Sequence, residues 1–283
     1  MKLSLCILLG GLVMTGAATL RAADTNVEDA SEFDQMLTAG VKSEPWGEVS
    51  SDTRVYRSTN IQLLPDNLFY PERADTVVAQ TFTVRLQHHL SDAVLAELIL
   101  RYQLYRYLNT ESLDFNTQSA TFQLSGEIPD LFRWYGNFTA QRQEFVRGRD
   151  GEFFKMYNPE FGIWRDLVLN RHLTLFGGYQ LDWRPSSPGF FDRVDNTLYA
   201  GCTVALLDRL SAQLLYRLSL HDYTNYRDRF DVNQLGGITL FYTFCANARV
   251  ELFVNYIHND SNLATRDYDI WEGGGALRLS FNF

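Results

Sequence analysis

The chain has 283 residues, 46% of them hydrophobic and 14% aromatic, and a formal net charge of -9. Its mean hydropathy is nonetheless negative, at -0.20. The acidic balance disfavours nucleic acid as a partner, and after the amino-terminal segment no apolar run is long enough to cross a membrane as a helix, which takes roughly 20 residues.

Residues 1–23 read as a secretory signal peptide: Lys2, an apolar run from Leu3 to Val13, then the small residues Gly16, Ala17 and Ala18. Cleavage after Ala18 and after Ala23 both fit. Cys6 leaves with the leader. Cys202 and Cys245 remain, one expected mid-strand on an outer face and one in a tight turn two strands away. That placement favours two free thiols over a disulfide, and neither has a His or Cys neighbour at metal spacing. Residues 24–47 form an extension in which Val27–Leu37 has the pattern of a short amphipathic helix.

The remainder, 48–283, divides into strand-length segments. The first, Glu48–Leu63, alternates weakly because Ser50, Ser51, Asp52 and Thr53 break its pattern. Eleven clearer ones follow, near Thr76–His89, Ala93–Tyr107, Asn116–Glu127, Leu131–Val146, Asn158–Leu169 and Leu173–Arg184, then Asn196–Leu207, Leu210–Asp222, Asp231–Phe244, Ala248–Asn259 and Tyr268–Phe283. Leu173, Leu175, Tyr179, Leu181 and Trp183 oppose Thr174, Gln180, Asp182 and Arg184, the period of two of a strand with one greasy and one polar side. Short turns (for example Leu207-Asp208-Arg209) alternate with longer polar connections near 108–116, 147–157, 185–195, 223–230 and 260–267. Gly177-Gly178, Gly236-Gly237 and Gly273-Gly274-Gly275 fall inside strands, where they permit coiling and the close approach of a neighbouring ring.

The last strand alternates to the final residue, with Leu277, Leu279, Phe281 and Phe283 on one side. A terminal strand leaves an open edge unless the sheet closes. With the leader, this ending resembles the bacterial outer-membrane β-barrel class. The resemblance implies an all-β, up-and-down antiparallel barrel of about twelve strands (ten is the alternative) in the outer membrane. It also implies contact with outer-membrane lipids and lipopolysaccharide, and recognition of the last strand by the barrel-assembly machinery. The extension is then periplasmic, short turns face the periplasm and long loops face outward. Trp134, Tyr135, Trp164, Trp183, Tyr242, Tyr256 and Trp271 are candidates for the interfacial aromatic girdles.

The polar faces define the expected lumen: Arg85, Glu97, Arg101, Glu127, Arg133 and Asp182, with Arg184, Arg217, Arg249, Glu251 and Arg278. Nearly all positive charge is arginine, which suits fixed hydrogen-bonded pairs. Two functions follow: a narrow passive channel for small solutes, or a structural barrel packed shut. An alternative is a surface hydrolase acting on lipid or lipopolysaccharide through His221, with Ser219 as nucleophile and Asp222 as the nearby acid. Residues two apart on a strand stand roughly 7 Å apart, too far for a direct Ser–His bond. The acids Asp222, Asp228, Asp231, Asp260, Asp267 and Asp269 lack ordered calcium-ligand spacing. Arg142, Arg147 and Arg149 carry forks suited to lipopolysaccharide phosphates. There is no nucleotide, zinc or redox motif, so no cofactor is expected.

Overall fold

The computed structural model describes residues 46–283 except 62, 64–73, 111, 147–151 and 227. The leader, the Val27–Leu37 helix, Arg147 and Arg149 lie outside the described residues. The strands are β1 (Gly47–Ser58), β2 (Asp75–Ser91), β3 (Val94–Tyr107), β4 (Phe115–Ile128), β5 (Phe132–Phe145), β6 (Glu152–Asn170) and β7 (Leu173–Arg184). They continue with β8 (Ser186–Ser187), β9 (Arg193–Leu207), β10 (Leu210–Tyr223), β11 (Phe230–Cys245), β12 (Ala248–Ser261) and β13 (Tyr268–Asn282). Every long strand pairs antiparallel with its sequence neighbour, and β1 pairs with β13, so twelve strands close into a ring. The two-residue β8 is an extra ribbon laid on β6 at Lys155 and Met156.

The first strand forms despite its weak alternation because both its edges are occupied. It is in register with β2 along its whole length and with β13 from Glu48 to Ser58. The sixth strand begins at Glu152, earlier than the expected Asn158, because β5 and β8 extend the ladder above the barrel wall. Gly273–Gly275 lie within β13. At the end carrying the short turns, register shifts in β2, β6, β9 and β11 mark bulges beside the turns.

Alternation separates two environments. Val55, Phe82, Leu100, Phe122, Phe138, Phe161, Leu181, Leu198, Leu214, Ile238 and Leu252 are exposed on the outer wall, one on each of eleven consecutive strands of the ring, and Phe281 continues the set on β13. An apolar belt this continuous matches hydrocarbon. Toward the long-loop end the belt gives way to tyrosines whose hydroxyls donate to a neighbouring strand: Tyr179 to Asn196 at 2.6 Å, Tyr216 to Gln234 at 2.9 Å and Tyr256 to Asp269 at 2.6 Å. Amphipathic rings of this kind belong at a membrane–water boundary. Trp183 and Trp271 point outward as expected, but Tyr135 and Trp164 are buried inside the barrel. They sit on the inward parity of β5 and β6, so they pack the lumen and take no part in the girdle.

At the short-turn end the carboxy terminus is fastened. Phe283 and Gly47 exchange backbone hydrogen bonds at 3.0 and 3.1 Å, and Trp46 meets the Phe283 ring edge-on at 4.7 Å. Cys202 and Cys245 are free thiols. At the opposite end, Asp75 opens β2 and its carboxylate accepts from the Asn109 side-chain amide at 2.8 Å and the Thr110 hydroxyl at 2.6 Å. One carboxylate thereby holds down the β3–β4 loop.

Inside, glycines make room for rings. A side-chain carbon on Gly178 would collide with the Tyr199 ring and the Ile163 carbonyl, whereas one on Gly236 would meet nothing within 4 Å. Gly178→Ala is therefore expected to destabilise the barrel by ~1–3 kcal/mol, as overpacking does, while Gly236→Ala changes stability by less than ~0.5 kcal/mol. Equilibrium urea unfolding in lipid vesicles, followed by tryptophan fluorescence, checks both.

Candidate functional site

All eleven charged residues expected in the lumen fall on the inward parity of their strands. At the short-turn end they form small groups: Arg133 to Asp166 at 3.0 Å and to Glu127 at 3.7 Å, and Arg85 to Glu97 at 3.5 Å with Gln123 donating to Glu97 at 2.8 Å. Arg249 pairs with Glu251 at 2.5 Å, and Arg54 reaches the same carboxylate at 3.8 Å while bonding Asp52 at 3.0 Å. Arg249 also lies over the Phe241 ring, 4.7 Å from its centroid. The guanidinium planes thus use apolar rings as floors while their edges bond carboxylates.

The densest network occupies the long-loop end of β7, β9, β10 and β11. Asp182 is opposite Asp195 in the ladder, and Arg184 is opposite Arg193. Like charges directly across a strand pair are unfavourable, and pairs along each strand and across one diagonal neutralise them: Arg184 bonds Asp182 on its own strand at 2.5 Å and Asp195 on the diagonal at 2.9 Å, and Arg193 bonds Asp195 on its own strand at 2.8 Å. The pattern continues around the wall. Arg229, just before β11, bonds Asp231 and stacks 4.0 Å above the Tyr223 ring, whose hydroxyl accepts a hydrogen bond from Arg193 at 3.2 Å. Asp182, Asp195 and Asp231 are almost wholly buried. Buried charges of this kind are tolerated because each is paired and hydrogen-bonded.

His221 belongs to this network. Its Nδ1 lies 2.7 Å from Asp195 Oδ1, and His221 occupies the ladder position between Asp195 and Asp231. Ser219 does share the inward face, but its Oγ is hydrogen-bonded to Thr197 Oγ1 at 2.9 Å and is fully buried. Asp222 is exposed and on the opposite parity, outside the barrel. The expected Ser219–His221–Asp222 grouping is therefore not assembled. The acid at the histidine is Asp195, from a neighbouring strand, and the serine is turned to a different partner.

A cavity of about 30 Å³ adjoins the network, lined by Arg193, Arg217, His221, Tyr223, Arg229 and Asn233 and floored by Leu63, Ile257 and Ile270. That is room for one or two waters. Beside it lies an apolar tier that sequence reasoning missed. Tyr135, Trp164, Phe176, Tyr199, Leu215, Leu235, Ile257 and Ile270, one from each long strand of the consecutive run from β5 to β13, form a buried cluster with Leu63. Leu63 lies in the β1–β2 connection and is itself buried in this cluster. A second cluster, including Tyr56, Ile61, Tyr105, Tyr107 and Phe115, fills the other side.

The missed signals are partly visible in hindsight. Asp182-x-Arg184, Arg193-x-Asp195 and Arg229-x-Asp231 are opposite charges two apart, which share a face of a strand. The loop acids also have structural uses: Asp267 accepts from the Ser261 backbone N–H at 2.7 Å, and Asp269 holds His258 and Tyr256. Among the described residues no group of three or more His, Cys, Asp or Glu side chains is arranged to hold a metal ion.

No protein-family model and no curated protein sequence matches this chain. Solved structures do. An outer membrane channel from Pseudomonas putida F1 matches with a TM-score of 0.59 at 9% identity, covering 86% of this chain and 98% of that one. The translocator domain of the autotransporter NalP from Neisseria meningitidis matches at 0.49 and 12% identity, over 90% and 96% of the two chains. LpxR from Salmonella typhimurium matches at 0.48 and 7% identity, over 82% and 99%. At such identities the likeness is one of fold. With the Pseudomonas putida channel this chain shares a closed antiparallel β-barrel, here with an outer wall of exposed apolar side chains that matches hydrocarbon.

Proposed function

We propose that this protein is a porin-type barrel of very small bore, with a lumen built to stay closed to nutrient-sized solutes. The observation that carries the reading is the apolar tier around Leu63, which crosses the bore between two charged ends. A wide aqueous pore needs a polar wall along its whole length. Here the charged groups are neutralised in pairs at each end, and the middle is packed with rings. Water and small ions are the solutes such an interior passes, and only when the tier side chains shift.

The same geometry supports a non-catalytic role. His221 and Asp195 form a buried pair, and the neighbouring Ser219 hydroxyl is committed to Thr197 and lies outside the cavity lining. The pair serves the wall: His221 stands in the ladder between Asp195 and Asp231.

Two measurements test these statements. Purified protein in planar bilayers is expected to show only small, brief openings, and Trp164→Ala with Tyr199→Ala is expected to raise conductance severalfold by removing the tier's largest rings. A large steady conductance of the unaltered protein would refute the closed bore. Asp195→Ala, which takes from Arg193 and His221 their bonded carboxylate and from Arg184 one of its two, is expected to destabilise the barrel by about 3–5 kcal/mol in urea unfolding. His221→Ala is expected to leave phospholipid and lipopolysaccharide turnover in reconstituted vesicles at background; turnover that depends on His221 would restore the hydrolase.

A further inference from the structure

The outer wall is apolar on every strand but carries an anomaly where the ring closes. On β1, Ser51 and Thr53 take outward positions, and Gln80 is outward on β2, directly opposite Thr53. The Gln80 amide donates to Ser51 Oγ at 2.8 Å and to the Asp52 carbonyl at 3.1 Å, and its oxygen accepts from the Thr53 hydroxyl. This cluster lies half-way along β1, flanked on its own strand by the outward Val49 and Val55. It is therefore set within the apolar belt and below the tyrosine boundary. Polar side chains facing hydrocarbon are costly unless hydrogen-bonded. The internal bonds leave Ser51's own proton and the second lone pair of Gln80 Oε1 to bond outward.

An independent observation concerns the adjacent β13. Gly274 faces inward and is required by the barrel itself, because a side-chain carbon there would collide with Tyr56 and the Val55 carbonyl. Gly273 and Gly275 face outward and are not required in the same way. A carbon added at Gly273 would find its nearest neighbours at 3.7 Å and one at Gly275 at 3.4 Å, within or at the edge of ordinary contact. Packing inside a single barrel therefore does not explain the bare backbone at these two lipid-facing positions. Exposed Val55 stands directly beside Gly275 in the ladder. Ridge and groove are neighbours on one surface.

We propose that the outer face of β13, β1 and β2 is a self-association surface, and that its occupant is a second copy of this chain related by a two-fold axis. A two-fold contact must be self-complementary, and this face is so in two respects. Val55 of each barrel fits the glycine groove of the other. Ser51 of each can donate to Gln80 of the other. Small residues that allow close backbone approach, with hydrogen-bonding side chains beside them, are the features that hold segments together in a membrane, where apolar burial provides no drive.

The test is cysteine cross-linking in native outer membranes, using full-length protein with Cys202→Ser and Cys245→Ser as background. Val55→Cys is expected to give a disulfide-linked dimer, while Leu181→Cys, exposed on β7 across the ring, gives little. Gly273→Leu with Gly275→Leu is expected to abolish the Val55→Cys product. Gln80→Leu is expected to weaken the dimer about fivefold in sedimentation equilibrium in density-matched detergent. Heat-modifiable migration on gels confirms that each variant is folded. Equal cross-linking at Val55 and Leu181, no cross-linking at Val55 in folded protein, or a product indifferent to the glycine substitutions would each overturn the proposal.

Discussion

Between β1 and β13, eleven consecutive residue pairs from Glu48↔Asn282 to Ser58↔Glu272 join the two ends of the chain. Without them the sheet would expose two strand edges in hydrocarbon, where an unpaired backbone amide or carbonyl costs several kcal/mol. Closure removes both edges at once. It also fixes which way every side chain points, since a slip of one residue would turn each apolar set inward. The weak sequence pattern of β1 matters little beside this. Its backbone is demanded by two neighbours, so it forms even with Ser51 and Thr53 on its outer face.

With the ring closed, the interior becomes a space of limited width that must be filled. Two kinds of group fill it. Near the loops, arginine and aspartate two apart in the chain neutralise each other, Arg184 also reaches Asp195 across a diagonal of the ladder, and His221 completes the row. Deeper in, rings lie against glycines of neighbouring strands and cluster around Leu63. The charge lattice borders the small cavity lined by Arg217 and His221, while the cluster around Leu63 is apolar.

This division explains why the histidine that stands out in the sequence belongs to the wall. His221 is held by Asp195 from β9, and Ser219 is buried and hydrogen-bonded to Thr197. Acid, base and hydroxyl occur within four residues of sequence, but strand geometry sends Asp222 to the opposite side. Proximity along a strand is a poor guide to proximity in a site, because successive residues face opposite media.

The sequence by itself determined the class of fold and the position of nearly every strand. The physical reason is that a membrane barrel imposes a period of two on each strand, and that period survives in a single chain. Strand pairs such as Arg193 with Arg184, the inward turn of Tyr135 and Trp164, and the burial of Leu63 were decided only by tertiary structure. An aromatic residue near a strand end suits a girdle or a lumen equally well until its register is known, and a loop's residues carry no period at all. Which groups meet across the bore depends on the tilt and stagger of the closed ring, a property of the whole sheet that no local stretch of residues encodes.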